Sequence, residues 1–129
     1  MLPTLHPGVE VQKPAALPFL GRLFVLIDGG TFSTSADVCA QLRSLTEATF
    51  IGEETGGAVE GNTSGLNAQI VLPHSTLKLK IQMYGYWNDV TSGMHGRGTL
   101  PDRNVLRTVD DVLDGTDPVL DLAISLMTK

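Results

Sequence analysis

Residues 25–42 read VLIDGGTFSTSADVCAQL, and the parsing of this stretch decides the fold. A β-branched apolar run ends at Asp28-Gly29-Gly30. Four hydroxyls follow at Thr31, Ser33, Thr34 and Ser35. Ala36, Val38, Cys39, Leu42 and Leu45 then recur at helical spacing. The pattern is strand over 22–27, tight turn, and helix over 34–46, with Ser33 at the bend. Two readings of Ser33 are open. Its hydroxyl stands exposed at the end of a buried strand, with the unpaired N–H groups of the helix start ready to stabilise an oxyanion. Alternatively it is an ordinary N-cap, a position that Ser and Thr favour in any helix. The G-x-S-x-G elbow of α/β-hydrolases is absent.

Working outward, residues 49–52 form a second short strand and close a βαβ unit with parallel strands. The near-continuous apolar content of 22–27 predicts burial on both faces. Residues 53–65, EETGGAVEGNTSG, are a polar, glycine-rich loop that either moves or lines a site. Residues 66–72 and 77–83 alternate as a β-hairpin around Pro73-His74-Ser75. A second loop, 84–97, holds both tyrosines, the only tryptophan and one of the three histidines. Residues 110–114 form a helical turn ended by Gly115. A last helix follows over 119–127, with Asp117 as N-cap and Pro118 at the first helical position. The sum is an α/β class with helices packed on a mixed sheet.

The chain has 129 residues, 42% hydrophobic and 18% charged, which fits one globular domain. A net charge of −5 with no basic run argues against nucleic acid or an anionic membrane as partner. No apolar stretch reaches the roughly 18 residues of a membrane span. Residues 1–20 contain four prolines and one glycine and lack a signal-peptide pattern, so they read as an extended arm ahead of a domain over 21–129. The single cysteine, Cys39, excludes an intrachain disulfide, leaves the compartment undetermined and reads as a small buried apolar residue.

Five blocks in order carry a family resemblance: VLIDGGTFSTSAD (25–37), FIGEETGG (50–57), LPHSTLKLKI (72–81), GRGTLPD (96–102) and DDVLDGTDPVLDLAI (110–124). Together they resemble the C-terminal processing peptidases, the tail-specific and tricorn-type serine proteases. The resemblance implies a ClpP/crotonase-like β-β-α core. It places the nucleophile at Ser33, with Ser35 as the fallback, and an oxyanion-hole donor at the N–H of Thr34. It also exposes departures. The lysine base of the processing-peptidase branch is replaced by Ala58, and neither Lys78 nor Lys80 aligns with it. The tricorn-type branch uses an upstream histidine as base. That histidine, the glycine-rich segment giving a second oxyanion donor, and the PDZ domain have no counterpart in these 129 residues. The expectation is therefore the C-terminal half of a catalytic core.

A serine hydroxyl needs a neighbour to take its proton, most often a histidine. His6 lies in the arm and His74 in the hairpin turn. His95 directly precedes Gly96-Arg97-Gly98, about where the tricorn-type motif carries an active-site glutamate, and is the candidate base. Glu53 and Glu54 are candidate supporting acids, with Glu60 and Asp28 also available. Asp28 at the strand end reads more readily as a cap of turn N–H groups. Asn62-Thr63-Ser64 matches a glycosylation sequon. No metal-ligand spacing or cofactor motif is present.

These features lead to a serine hydrolase working through an acyl-enzyme. It is expected to favour short esters over peptides, because an ester leaving group departs without strong protonation. The alternative is a non-catalytic remnant or fragment serving as an assembly or binding module. A homo-oligomer is expected, with Val25, Leu26 and Ile27 and the arm residues Leu2, Leu5, Val9 and Val11 supplying the apolar contact.

Overall fold

The computed structural model describes residues 11, 13–91 and 95–128. Val11 and residues 13–20 are exposed and carry no helix or strand, while the remainder of the expected arm lies outside the described residues. The elements are β1 (Phe24–Ile27), α1 (Thr34–Leu45), β2 (Thr49–Gly52), β3 (Gly61–Asn62), β4 (Asn67–Val71), β5 (Lys78–Gln82), β6 (Tyr86–Trp87), β7 (Arg103–Asn104), α2 (Val109–Asp114) and α3 (Pro118–Met127).

The expected βαβ unit is present. β1 and β2 pair in parallel with Val25 opposite Phe50 and Ile27 opposite Gly52. β7 adds in parallel on the other side of β2, giving the order β1-β2-β7. The sequence pattern missed β7 because two residues are too short to show alternation. The sheet is not mixed. The antiparallel pairs β3–β6 and β4–β5 stand as separate two-stranded sheets. Loops rich in glycine and polar residues separate the hairpin from β2 and β7 in the chain.

Double burial falls on β2 rather than β1. Successive side chains of a strand point to opposite faces, and Phe50 and Ile51 are both fully buried. β1 is an edge strand, and its Leu26 is 42% exposed. Phe50, Ile27, Ala48 and Cys39 of α1 form the core cluster, with Leu23, Val25 and Leu42 packed around it. α3 packs along β1 and β2 and buries Ala123. α1 buries Ala36, Cys39 and Ala40, a narrow stripe of small residues that lets the helix approach closely. Val38 and Leu45, which recur at the same helical spacing, face solvent. Burial pushes the Cys39 thiol up from its ordinary pKa.

The helix ends follow their local chemistry. Asp117 accepts from Leu120 N–H at the start of α3, with Pro118 at its first turn. Thr108 and Asp111 form a reciprocal capping box on α2, and Gly115 ends that helix in the left-handed region.

Candidate functional site

The site is built on the turn between β1 and α1. Asp28 holds this turn. Its Oδ1 accepts from Gly30 N–H at 2.9 Å and from Thr31 Oγ1 at 3.2 Å, and Thr31 N–H donates to Asp28 O at 3.0 Å. Asp28 is thus a turn cap, as the strand-end position implied. Ser33 follows with φ 55° and ψ −133°, a backbone that L residues rarely adopt. Its side chain makes no capping hydrogen bond to α1. A capping serine sits in the β region and accepts from the second or third helical N–H, and Ser33 does neither. The residue is half-buried. Thr34 opens the helix, where the first N–H groups have no intrahelical acceptor.

The loop after β2 lies directly against this turn. Gly57 N–H donates to Thr31 O at 3.1 Å. A Cβ at Gly57 would stand 2.5 Å from the Ala36 Cβ, 3.0 Å from Phe32 Cα and 3.3 Å from Ser33 N. A Cβ at Gly56 would stand 2.2 Å from Gly29 O. The two glycines are required because their backbone touches the backbone carrying Ser33.

The same loop is clamped from behind by residues 96–102. Glu54 takes a bidentate pair from Arg97, Nε to Oε1 at 2.8 Å and Nη2 to Oε2 at 2.5 Å, and Oε1 also accepts from Gly98 N–H at 2.8 Å. The Arg97 and Gly98 hydrogen bonds hold the Glu54 carboxyl down at about 2. Thr55 is buried and exchanges bonds with Thr99: Thr55 N–H donates to Thr99 O at 3.1 Å, and Thr99 N–H to Thr55 Oγ1 at 2.8 Å. The Thr99 hydroxyl is buried without a partner. Asp102 anchors the far end. Burial raises its pKa, but Arg43, Phe50 N–H and the Arg43 and Arg103 charges outweigh that and lower it. Arg43 reaches Asp102 at 2.8 Å and lies over the Phe50 ring at 4.2 Å.

The His95 imidazole is almost fully exposed, and its Nδ1 meets Glu60 Oε2 at 2.7 Å; among the described residues no hydrogen bond joins it to Ser33. Glu60 Oε2 also accepts from Gly96 N–H at 2.9 Å. The carboxylate at His95 is therefore Glu60, not Glu53 or Glu54. Glu54 is committed to Arg97, while Glu53 extends the β1 ladder through its N–H to Ile27 O at 2.9 Å. His74 lies exposed in the hairpin turn, and His6 lies outside the described residues.

Sequence reading missed a further network. Asp37 in the first turn of α1 accepts from Tyr86 Oη and, at 3.0 Å, from Asn88 Nδ2. Asn88 Nδ2 also reaches Val59 O at 3.1 Å. Tyr86 Oη in turn accepts from Asn62 Nδ2 at 2.7 Å. Bonding to Asp37 pushes the Tyr86 phenol above its usual pKa. This network ties both glycine-rich loops to the helix that follows Ser33. Nothing in the spacing of residues 37, 62, 86 and 88 announces it, because the partners meet only after the loops fold back. Among the described residues no cluster of His, Cys, Asp or Glu is arranged to hold a metal ion, and no helix is long and apolar enough to cross a membrane.

Compared with known families, residues 8–105 match Peptidase family S41. Among solved structures, one of a "putative peptidase" from Parabacteroides merdae superposes with a TM-score of 0.54 at 24% identity, over 87% of this chain and 33% of that one. The likeness is one of fold, and the chain spans about a third of that protein's length. No curated protein matches the chain.

Proposed function

The chain belongs to peptidase family S41, and on that premise we propose that it carries the nucleophile turn of a serine hydrolase, within part of a ClpP/crotonase-like core. The observation that carries the proposal is the backbone of Ser33. A serine that only capped a helix would gain nothing from a positive φ and would spend its oxygen on a helix N–H. Strain of this kind costs about 1–3 kcal/mol and collects at functional turns. Here it is combined with an uncommitted hydroxyl at a strand-to-helix bend.

In this reading Ser33 Oγ attacks the acyl carbonyl carbon and its proton passes to a base. The carbonyl oxygen becomes an oxyanion facing the Thr34 N–H. The tetrahedral species collapses, the protonated leaving group departs and an acyl-serine remains for water to cleave. His95 is the proposed base. Glu60 on Nδ1 would orient the ring, leaving Nε2 to accept the proton. With Ala58 in the position of the dyad lysine, we propose that activated short esters are cleaved in preference to peptides.

Labelling with a fluorophosphonate probe tests this. Label is expected on the wild-type chain, absent from Ser33→Ala and retained in Ser35→Ala. The reverse pattern would move the nucleophile to Ser35. No label in the wild type would favour the non-catalytic binding module.

A further inference from the structure

The β4–β5 hairpin has a face that nothing in the described chain covers. The register pairs Ala68 with Ile81 and Ile70 with Leu79. Bonds from Leu72 N–H to Leu77 O at 2.9 Å and from Met83 N–H to Leu66 O at 3.0 Å extend the ladder one pair at each end. Directly opposed residues of an antiparallel pair share a face, and alternate residues do too. One face therefore carries Leu66, Ala68, Ile70 and Leu72 beside Leu77, Leu79, Ile81 and Met83. The other carries Asn67, Gln69 and Val71 beside Gln82, Lys80 and Lys78.

The seven large apolar residues are between 38% exposed, at Leu72, and 65% exposed, at Leu77. Together these residues leave roughly 650 Å² of surface in water, more than the few hundred Å² that a soluble monomer ordinarily presents in one patch. Each strand has its extensive contacts only with the other, and a two-stranded hairpin by itself is marginal in water. The face needs a cover.

We propose that the cover is the same face of a second copy, so that two hairpins pack face to face about a twofold axis. Two such faces would bury about 1,300 Å², above the roughly 1,000 Å² that separates specific interfaces from incidental contacts. The face carries no charged side chain, so the contact opposes no like charges directly. Lys78 and Lys80 lie on the opposite face and remain in water. An isologous contact also needs only one self-complementary patch. This places self-association on β4–β5 rather than on residues 25–27, where Ile27 is already buried. The inference stands independently of the hydrolase reading, since its test does not use activity.

Light scattering on the full chain at micromolar concentration should give twice the 13.8 kDa mass. Leu79→Lys combined with Ile81→Lys should raise the dissociation constant at least about 100-fold and give a monomer with unchanged helical circular dichroism. Leu79→Thr with Ile81→Thr, which keeps strand propensity, serves if the lysine variant fails to fold. Lys80→Glu on the opposite face should leave the mass unchanged. A monomeric wild type would overturn the proposal and assign the face to a different partner. A variant that stays dimeric would overturn it by placing the contact elsewhere.

Discussion

The Ser33 turn and the β4–β5 hairpin are both formed by short strands with clear sequence patterns, yet the molecule treats them in opposite ways. The turn is braced from three sides: by Asp28 beneath it, by Gly56 and Gly57 against its backbone, and by Asp37 tied through Tyr86 and Asn88 to both long loops. The hairpin pairs its two strands only with each other and leaves both faces in water. Hydrogen bonding alone therefore does not distinguish a rigid region from a docking region. Side-chain cover does, because it decides how much free energy is lost when the element moves.

The largest expected contrast is between the two apolar interiors. Phe50→Ala removes a fully buried ring under Arg43 and should cost about 3–5 kcal/mol. Ile81→Ala, measured where the chain is monomeric, should cost about 0.5 kcal/mol or less. Urea unfolding of both variants gives the comparison. Similar losses would mean that the hairpin is packed into the fold after all.

A sharper test acts on the turn itself. Ser33→Ala should change stability by less than about 0.5 kcal/mol, because no capping bond is lost. Ser33→Gly should raise it by about 0.5–1 kcal/mol, because glycine accepts positive φ without strain. Both variants should lose probe labelling. A stabilised, unreactive glycine variant would show strain maintained at the expense of stability. A destabilised one would break the idea that Ser33 is strained.

The smallest effect is expected at the clamp behind the turn. The Glu54 carboxyl is held at about 2, below its ordinary 4.5. A carboxylate with a lowered folded-state pKa stabilises the fold above its unfolded pKa, and that contribution fades as pH falls toward the folded value. Thermal midpoints should therefore drop between about pH 4.5 and 2, and less steeply in Glu54→Gln than in the wild type. Added salt should shrink the difference, since both partners are partly exposed. Parallel profiles would remove Glu54 from the clamp.

The sequence by itself determined the local elements: the βαβ unit from its apolar run and helical spacing, the hairpin from alternation, and the ends of α2 and α3 from Gly115, Asp117 and Pro118. It also marked Ser33, because hydroxyls after Asp-Gly-Gly are visible in one dimension. These features depend on neighbours within a few residues. Only the tertiary structure decided that Ser33 does not cap its helix, that Glu60 rather than Glu54 meets His95, and that β2 rather than β1 is buried on both faces. It also decided that the parallel and antiparallel strands form separate sheets. Each of these depends on residues distant in the chain that meet only once the loops have folded back over the turn. An apolar or charged side chain carries no record of which distant partner will cover it.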